Sequence, residues 1–130
     1  MSKQIISTSQ APAAIGPYSQ AVLVNGTLYM SGQIALDPKT MQLVGGIEAQ
    51  TRQAFSNLIA VLNAADMQTS DIVKVNIYLV DLGNFALVNE VMQELFSTPF
   101  PARAAIGVAS LPRGALVEVE AVAVKGTCND

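Results

Sequence analysis

Apolar residues along this chain alternate between two spacings, and each change of spacing marks a new element. Val22-Leu23-Val24 and Thr27-Leu28-Tyr29-Met30 flank Asn25-Gly26, a dipeptide suited to a two-residue hairpin turn. Such a turn sets Leu23 opposite Leu28 and Ala21 opposite Met30, giving one apolar face. The other face carries Gln20, Val22, Val24, Thr27, Tyr29 and Ser31 and is mixed in character. A short strand is expected near Ile5-Ile6, and Asp37-Pro38-Lys39-Thr40 with Gly45-Gly46 punctuates a loop. Over residues 47–65 the spacing becomes helical: Ile47, Thr51, Phe55, Leu58, Leu62 and Ala65 repeat, supported by Ala54, Ile59 and Val61. Residues 71–80 return to strict alternation, with Val73, Val75, Ile77 and Leu79 opposed to Lys74, Asn76 and Tyr78, which predicts a strand. A second helix, starting at Asp81 or Asn84, carries Phe85, Val88, Met92, Leu95 and Phe96 as its buried stripe. It stops at Pro99 and Pro101. Strands over residues 102–109 and 117–124, joined through Leu111-Pro112-Arg113-Gly114, close the chain.

The resulting order, β-β-β-α-β-α-β-β, predicts one α+β domain over residues 1–130, with two helices on one face of a sheet. Two helices leave the other face to water or to another subunit. Its mixed apolar character favours a subunit, and composition agrees: 51% of residues are hydrophobic and only 13% charged, against roughly 25% charged in an average soluble domain. Self-association is therefore expected, with sheets packed together in a homo-oligomer. No apolar run approaches a membrane span, and residues 1–20 lack the basic start and apolar stretch of a signal peptide. Cys128 is the single cysteine and offers no disulfide framework. A cytoplasmic protein that binds no membrane is the expectation.

Charge and residue types narrow the chemistry. The net charge is −3, with seven scattered basic residues and no basic stripe to follow phosphates, so nucleic acid is not expected as a partner. The absence of histidine excludes a Ser-His-Asp triad, a Cys-His pair and a histidine-ligated zinc within the chain. What remains is carboxylate, arginine, hydroxyls, backbone groups and water, with neither metal nor cofactor expected. On the last strand, Glu118 and Glu120 share a face with Val122 and Val124. Two neighbouring carboxylates there raise each other's pKa if buried, or are plain solvated residues if the strand end is open. Arg103 opens the preceding strand. If that strand and the last form a hairpin pairing Ser110 with Ala115, Arg103, Ala105 and Gly107 share the face of Glu118 and Glu120, a placement that a one-residue slip reverses. Arg103 reads as an interface salt bridge or as a planar clamp for a carboxylate. Gly32, in Ser31-Gly32-Gln33, allows close approach of backbone to a ligand or ends a strand. Tyr18, after Gly16-Pro17, is a site wall or an interface aromatic, and Asn89 caps a loop or touches a substrate.

Together these segments resemble the reactive-intermediate deaminase family (RidA, or YjgF-like). The carrying stretches are APAAIGPYSQAV (11–22), YMSGQIALDP (29–38), FPARAAIGVASLP (100–112) and VEVEAVAV (117–124), and the likeness spans essentially the whole chain. The resemblance implies a chorismate-mutase-like fold and a homotrimer with a central β-barrel and active sites in clefts between subunits. It implies hydrolytic deamination of 2-aminoacrylate and 2-iminobutanoate, enamine and imine products of pyridoxal-phosphate dehydratases, to 2-keto acids and ammonia. By the same resemblance Arg103 falls on the arginine that holds the substrate carboxylate and Glu118, not Glu120, on the catalytic glutamate. Tyr18, Ser31, Gly32 and Asn89 match the remaining substrate-binding positions. The chain departs from many relatives at Ala105, where they carry a cysteine; imine hydrolysis by water needs no thiol. Two other readings stand beside this one: a non-catalytic module binding a 2-keto acid in the same cleft, and a ribonuclease activity, which the acidic pI of about 4.7 opposes.

Overall fold

A computed structural model describes residues 2–126, and Cys128 lies outside the described residues. Eight regular elements follow the expected order: β1 Gln4–Ile6, β2 Ala21–Val24, β3 Thr27–Gln33, α1 Ile47–Ala64, β4 Ile72–Leu79, α2 Phe85–Leu95, β5 Ala102–Gly107 and β6 Val117–Val124. One mixed sheet contains all six strands in the order β1-β2-β3-β6-β4-β5. The β2–β3 hairpin turns at Asn25-Gly26, both with positive φ, in the expected register of Ala21 with Met30 and Leu23 with Leu28.

Both helices pack on one face. Phe55, Leu58, Val61 and Leu62 of α1 and Val88, Val91 and Met92 of α2 meet Leu28, Val75, Ile77, Leu79, Val117, Val119 and Ala123 of the sheet in one continuous core. Phe55 meets Phe96 edge to face at 6.1 Å. Two buried amides, absent from the apolar stripe read in the sequence, sit on α1. Asn57 donates to the carbonyls of Ile34 (3.1 Å) and Leu36 (2.9 Å), and Gln50 accepts from the Leu116 amide at 2.8 Å. They satisfy loop backbone that the core would otherwise strand without partners. No helix is long and apolar enough to cross a membrane among the described residues.

Three expectations need correction. The closing strands do not form a hairpin: β5 runs parallel to β4 at the sheet edge, and β6 lies between β3 and β4. A strand, helix and strand in succession favour a crossover that returns the second strand parallel to the first. Val73 does not face the core either. A bulge between Ile72 and Lys74 against β6 turns Ile72 inward and leaves Val73 exposed. Finally, Gln20 is buried rather than part of an open face, for reasons given below.

The open face of the sheet carries Val22, Tyr29, Val122, Val124, Tyr78, Ala104 and Ile106, with Tyr29 53% and Ile106 48% exposed. That is apolar surface with no cover in a single chain.

Candidate active site

Glu118 and Glu120 project from β6 on the face away from the helices, because their cross-strand partners on β4, Tyr78 and Asn76, alternate with the buried Val75, Ile77 and Leu79. Here the two carboxylates differ in their surroundings. Glu120 accepts hydrogen bonds from the Tyr78 hydroxyl at 2.5 Å and from Asn76 Nδ2 at 3.2 Å. The bond to Glu120, then burial, push the Tyr78 phenol up to about 12. Glu118 has no such anchor among the described residues. Its carboxyl is half-buried and lies above the usual glutamate range, chiefly because burial disfavours the anion and secondarily because Glu120 repels it.

Glu118 rests on the backbone of Gly32. Along β3, Ser31 and Gly32 together oppose the single Glu120, a bulge between the Met30–Ala121 and Gln33–Val119 pairs. A Cβ built on Gly32 would overlap the Glu118 carboxylate, with Cδ at 2.9 Å. Gly32 therefore does not end the strand, which runs on to Gln33; it leaves room for the glutamate. Ser31 is fixed by its amide on the Gln20 carbonyl (2.9 Å) and its hydroxyl on the Ser19 carbonyl (2.5 Å).

The glutamates, Ser31 and Gly32 line a pocket of about 680 Å³ whose lining also includes Tyr18 and Arg113. Tyr18 is 51% exposed, in a turn where its amide bonds the Gly16 carbonyl at 2.9 Å and its hydroxyl accepts from the Ile15 amide at 3.4 Å. Behind it, Gln20 clips the 8–12 segment in place. Its Nε2 donates to the carbonyls of Pro12 (2.7 Å) and Thr8 (3.1 Å), and its Oε1 accepts from the Thr8 amide at 2.7 Å. Sequence reasoning missed Gln20; its place just before the hairpin gave no sign that the side chain would bond backward. Arg113 was also missed, being read as part of a connection.

Arg103 is elsewhere. Its neighbour on β4 is Val75, so it lies on the helix face, opposite to Glu118 and Glu120, and the shared face expected from a hairpin is not found. The guanidinium donates to Asn89 Oδ1 at 2.5 Å, meets Met92 Sδ at 3.8 Å and lies 4.7 Å from the centroid of the Phe85 ring. Asn89 thus neither caps a loop nor stands free: it steers Arg103. Around this pair lie open cavities, one of about 450 Å³ with Phe100 and one of about 320 Å³ with Ala105. No carboxylate pairs with Arg103 among the described residues, so its fork remains available to an anion.

Within one chain, then, the structure assembles Tyr18, Ser31, Gly32 and Glu118 at one place and Asn89 and Arg103 at another. A half-buried glutamate in an open pocket and an unpaired arginine beside an uncovered edge strand define a small α+β domain equipped for an anionic metabolite. The chain belongs to the RidA/YjgF family, whose profile, described as Endoribonuclease L-PSP, matches residues 8–125. It is 50% identical over 125 residues to the 2-iminobutanoate/2-iminopropanoate deaminase of Bos taurus, covering 95% of this chain and 91% of that one. Among solved structures, RidA from the Antarctic bacterium Psychrobacter sp. PAMC 21119 is similar with a TM-score of 0.91 and 50% identity, covering 93% of this chain and 98% of the other. TdcF of E. coli, with bound serine, gives a TM-score of 0.89 at 37% identity, covering 95% and 99%.

Proposed function

We propose that this protein hydrolyses reactive enamine and imine intermediates, 2-aminoacrylate and 2-iminobutanoate, to 2-keto acids and ammonia, in cytoplasmic homotrimers of chorismate-mutase-like fold. The carrying observation is the division of labour between the two glutamates: Glu120 is anchored, while Glu118 stands unanchored in the pocket with its carboxyl held above the usual range. The likeness to deaminases at about half identity over nearly the whole chain supports the same reaction.

The separation of Arg103 from Glu118 supports a site shared between copies. One copy presents Arg103, oriented by Asn89, to the substrate carboxylate; its neighbour presents Glu118, Gly32, Ser31 and Tyr18. The uncovered sheet face, closing into a central barrel, would bring the two parts together. With the carboxylate clamped, Glu118 takes a proton from water as the water oxygen bonds the carbon of the protonated imine, and the C=N electron pair becomes the lone pair of the amine nitrogen. Glu118 then gives that proton to the nitrogen, the C–N bond breaks with its pair leaving on ammonia, and the hydroxyl proton passes to Glu118 as the carbonyl forms; ammonia takes that proton up and leaves as ammonium. Such imines also hydrolyse unaided in water, so general acid-base help and positioning suffice. Pyridoxal-phosphate dehydratases would supply the substrates.

The test couples a threonine dehydratase to the protein and follows decay of 2-iminobutanoate. Wild type should accelerate decay, and Arg103→Ala and Glu118→Gln should each fail. Co-refolding the two inactive variants should recover activity, because some mixed clefts then contain both residues. No acceleration by folded wild type sinks the deaminase reading in favour of keto-acid binding. Absence of recovery in proven mixed oligomers sinks the shared site.

A further inference from the structure

The pocket around Glu118 extends well past the glutamate. In a single chain it measures about 680 Å³, part of which a neighbour's Arg103 takes in the shared site. Among the described residues its one lining cation is Arg113, on the connection from β5 to β6. Arg113 is exposed and makes one hydrogen bond, a long one of 3.3 Å from a guanidinium nitrogen to the Met41 carbonyl; no carboxylate pairs with it among the described residues. That bond ties the 111–114 turn to the loop after β3 and sets the charge on the wall. Glu118 and Arg113 line the same cavity, and no ion pair joins them among the described residues. A substrate with its imine carbon at Glu118 therefore sits in a pocket whose lining also offers an arginine without a carboxylate partner among the described residues.

We propose that Arg113 is a second anion-binding residue, specific for the far end of the substrate, and that the protein accepts 2-imino acids whose side chain ends in a carboxylate. This rests on the deaminase reading and names a substrate class for it. The imines of acidic amino acids fit: iminosuccinate plus water would give oxaloacetate and ammonia by the same steps at Glu118. The reactions able to supply such imines are oxidations of acidic amino acids at the α-carbon. Being exposed, Arg113 binds through a screened attraction, so recognition of the second carboxylate should weaken with salt.

The experiment generates iminosuccinate by oxidising aspartate with an amino-acid oxidase in the presence of catalase. The imine left after a fixed time is trapped with semicarbazide, and 2-iminobutanoate is followed in parallel. Wild type should accelerate both. Arg113→Ala should lower the ratio of kcat/KM for iminosuccinate over 2-iminobutanoate by about tenfold or more. Arg113→Lys should keep much of that ratio, and Arg113→Glu should lower it further. Added salt should raise KM for iminosuccinate more than for 2-iminobutanoate. If wild type accelerates 2-iminobutanoate but not iminosuccinate, or if Arg113→Ala lowers both alike, the inference is wrong while the deaminase reading stands. Acceleration of neither overturns both.

Discussion

The surroundings of Glu118 oppose its ionisation, and the sign of that opposition is measurable. Burial and Glu120 raise its pKa in the fold, so the folded chain keeps this proton to a higher pH than the unfolded chain. The associated stability is fully present below the ordinary value of 4.5 and is lost as pH rises through the raised one. Glu118→Gln, which cannot ionise, should match wild type near about pH 4 and exceed it at neutral pH. The gain should be no more than about 1 kcal/mol, since a half-exposed carboxylate keeps much of its hydration. Urea unfolding at both pH values checks this; a less stable variant at neutral pH would mean that the anion is favoured where it stands. The same variant should lose about 10²- to 10⁴-fold in turnover, and wild-type activity should fall on acidification earlier than an ordinary glutamate would dictate. Gly32→Ala tests the support beneath it: its Cβ must displace the carboxylate, so kcat should drop by about tenfold or more with the fold intact by circular dichroism. Alternation along β6 placed both glutamates on one face but could not choose between them. The family resemblance assigned Glu118; the pairing of β4 with β6 adds that Tyr78 and Asn76, forty-odd residues earlier in sequence, anchor Glu120.

At the scale of elements, local spacing was a good guide and pairing was not. Both helices and five of the six strands bury residues in the same core, while β5 at the edge adds only the half-buried Ala105. Which strand lies beside which depends on contacts remote in sequence, so local spacing does not distinguish the β4-α2-β5 crossover from a closing hairpin, and the face of Arg103, conditional on that hairpin, comes out opposite. Polar side chains that hold loops were equally hidden. Asn57 occupies a position in α1 that periodicity alone would leave unremarked, yet it is buried and carries the carbonyls of Ile34 and Leu36 just beyond Gly32. Asn57→Ala should cost about 1–3 kcal/mol by stranding those acceptors, read from the midpoint of urea unfolding. Activity should fall as well, since the loop forms a pocket wall. A loss below about 0.5 kcal/mol would show that water replaces the amide without penalty.

For the whole molecule the question is what covers the open sheet face. Val122 lies at its middle, paired with Tyr29 on β3 on one side and with Lys74 on β4 on the other. In an isolated chain a lysine at this half-exposed position would be harmless, because its stem could lie along the valines with the ammonium in water. In an oligomer built through this face, it would bury an unpaired charge at every contact, beside the Lys74 already there. Val122→Lys should therefore leave a folded chain that sediments as a smaller species than wild type. It should also lose imine deamination, although every residue around Glu118 and Arg103 is unchanged. That second loss matters most, since Arg103 and Glu118 stand on opposite faces of one sheet within a single chain. Sedimentation and 2-iminobutanoate decay, measured on one preparation, separate the possibilities. A monomer with full activity would return the site to a single chain and remove the clamp from Arg103. An unchanged oligomer would mean that this face is not the contact, leaving the exposed edge around Ile106 and Phe100 to carry it.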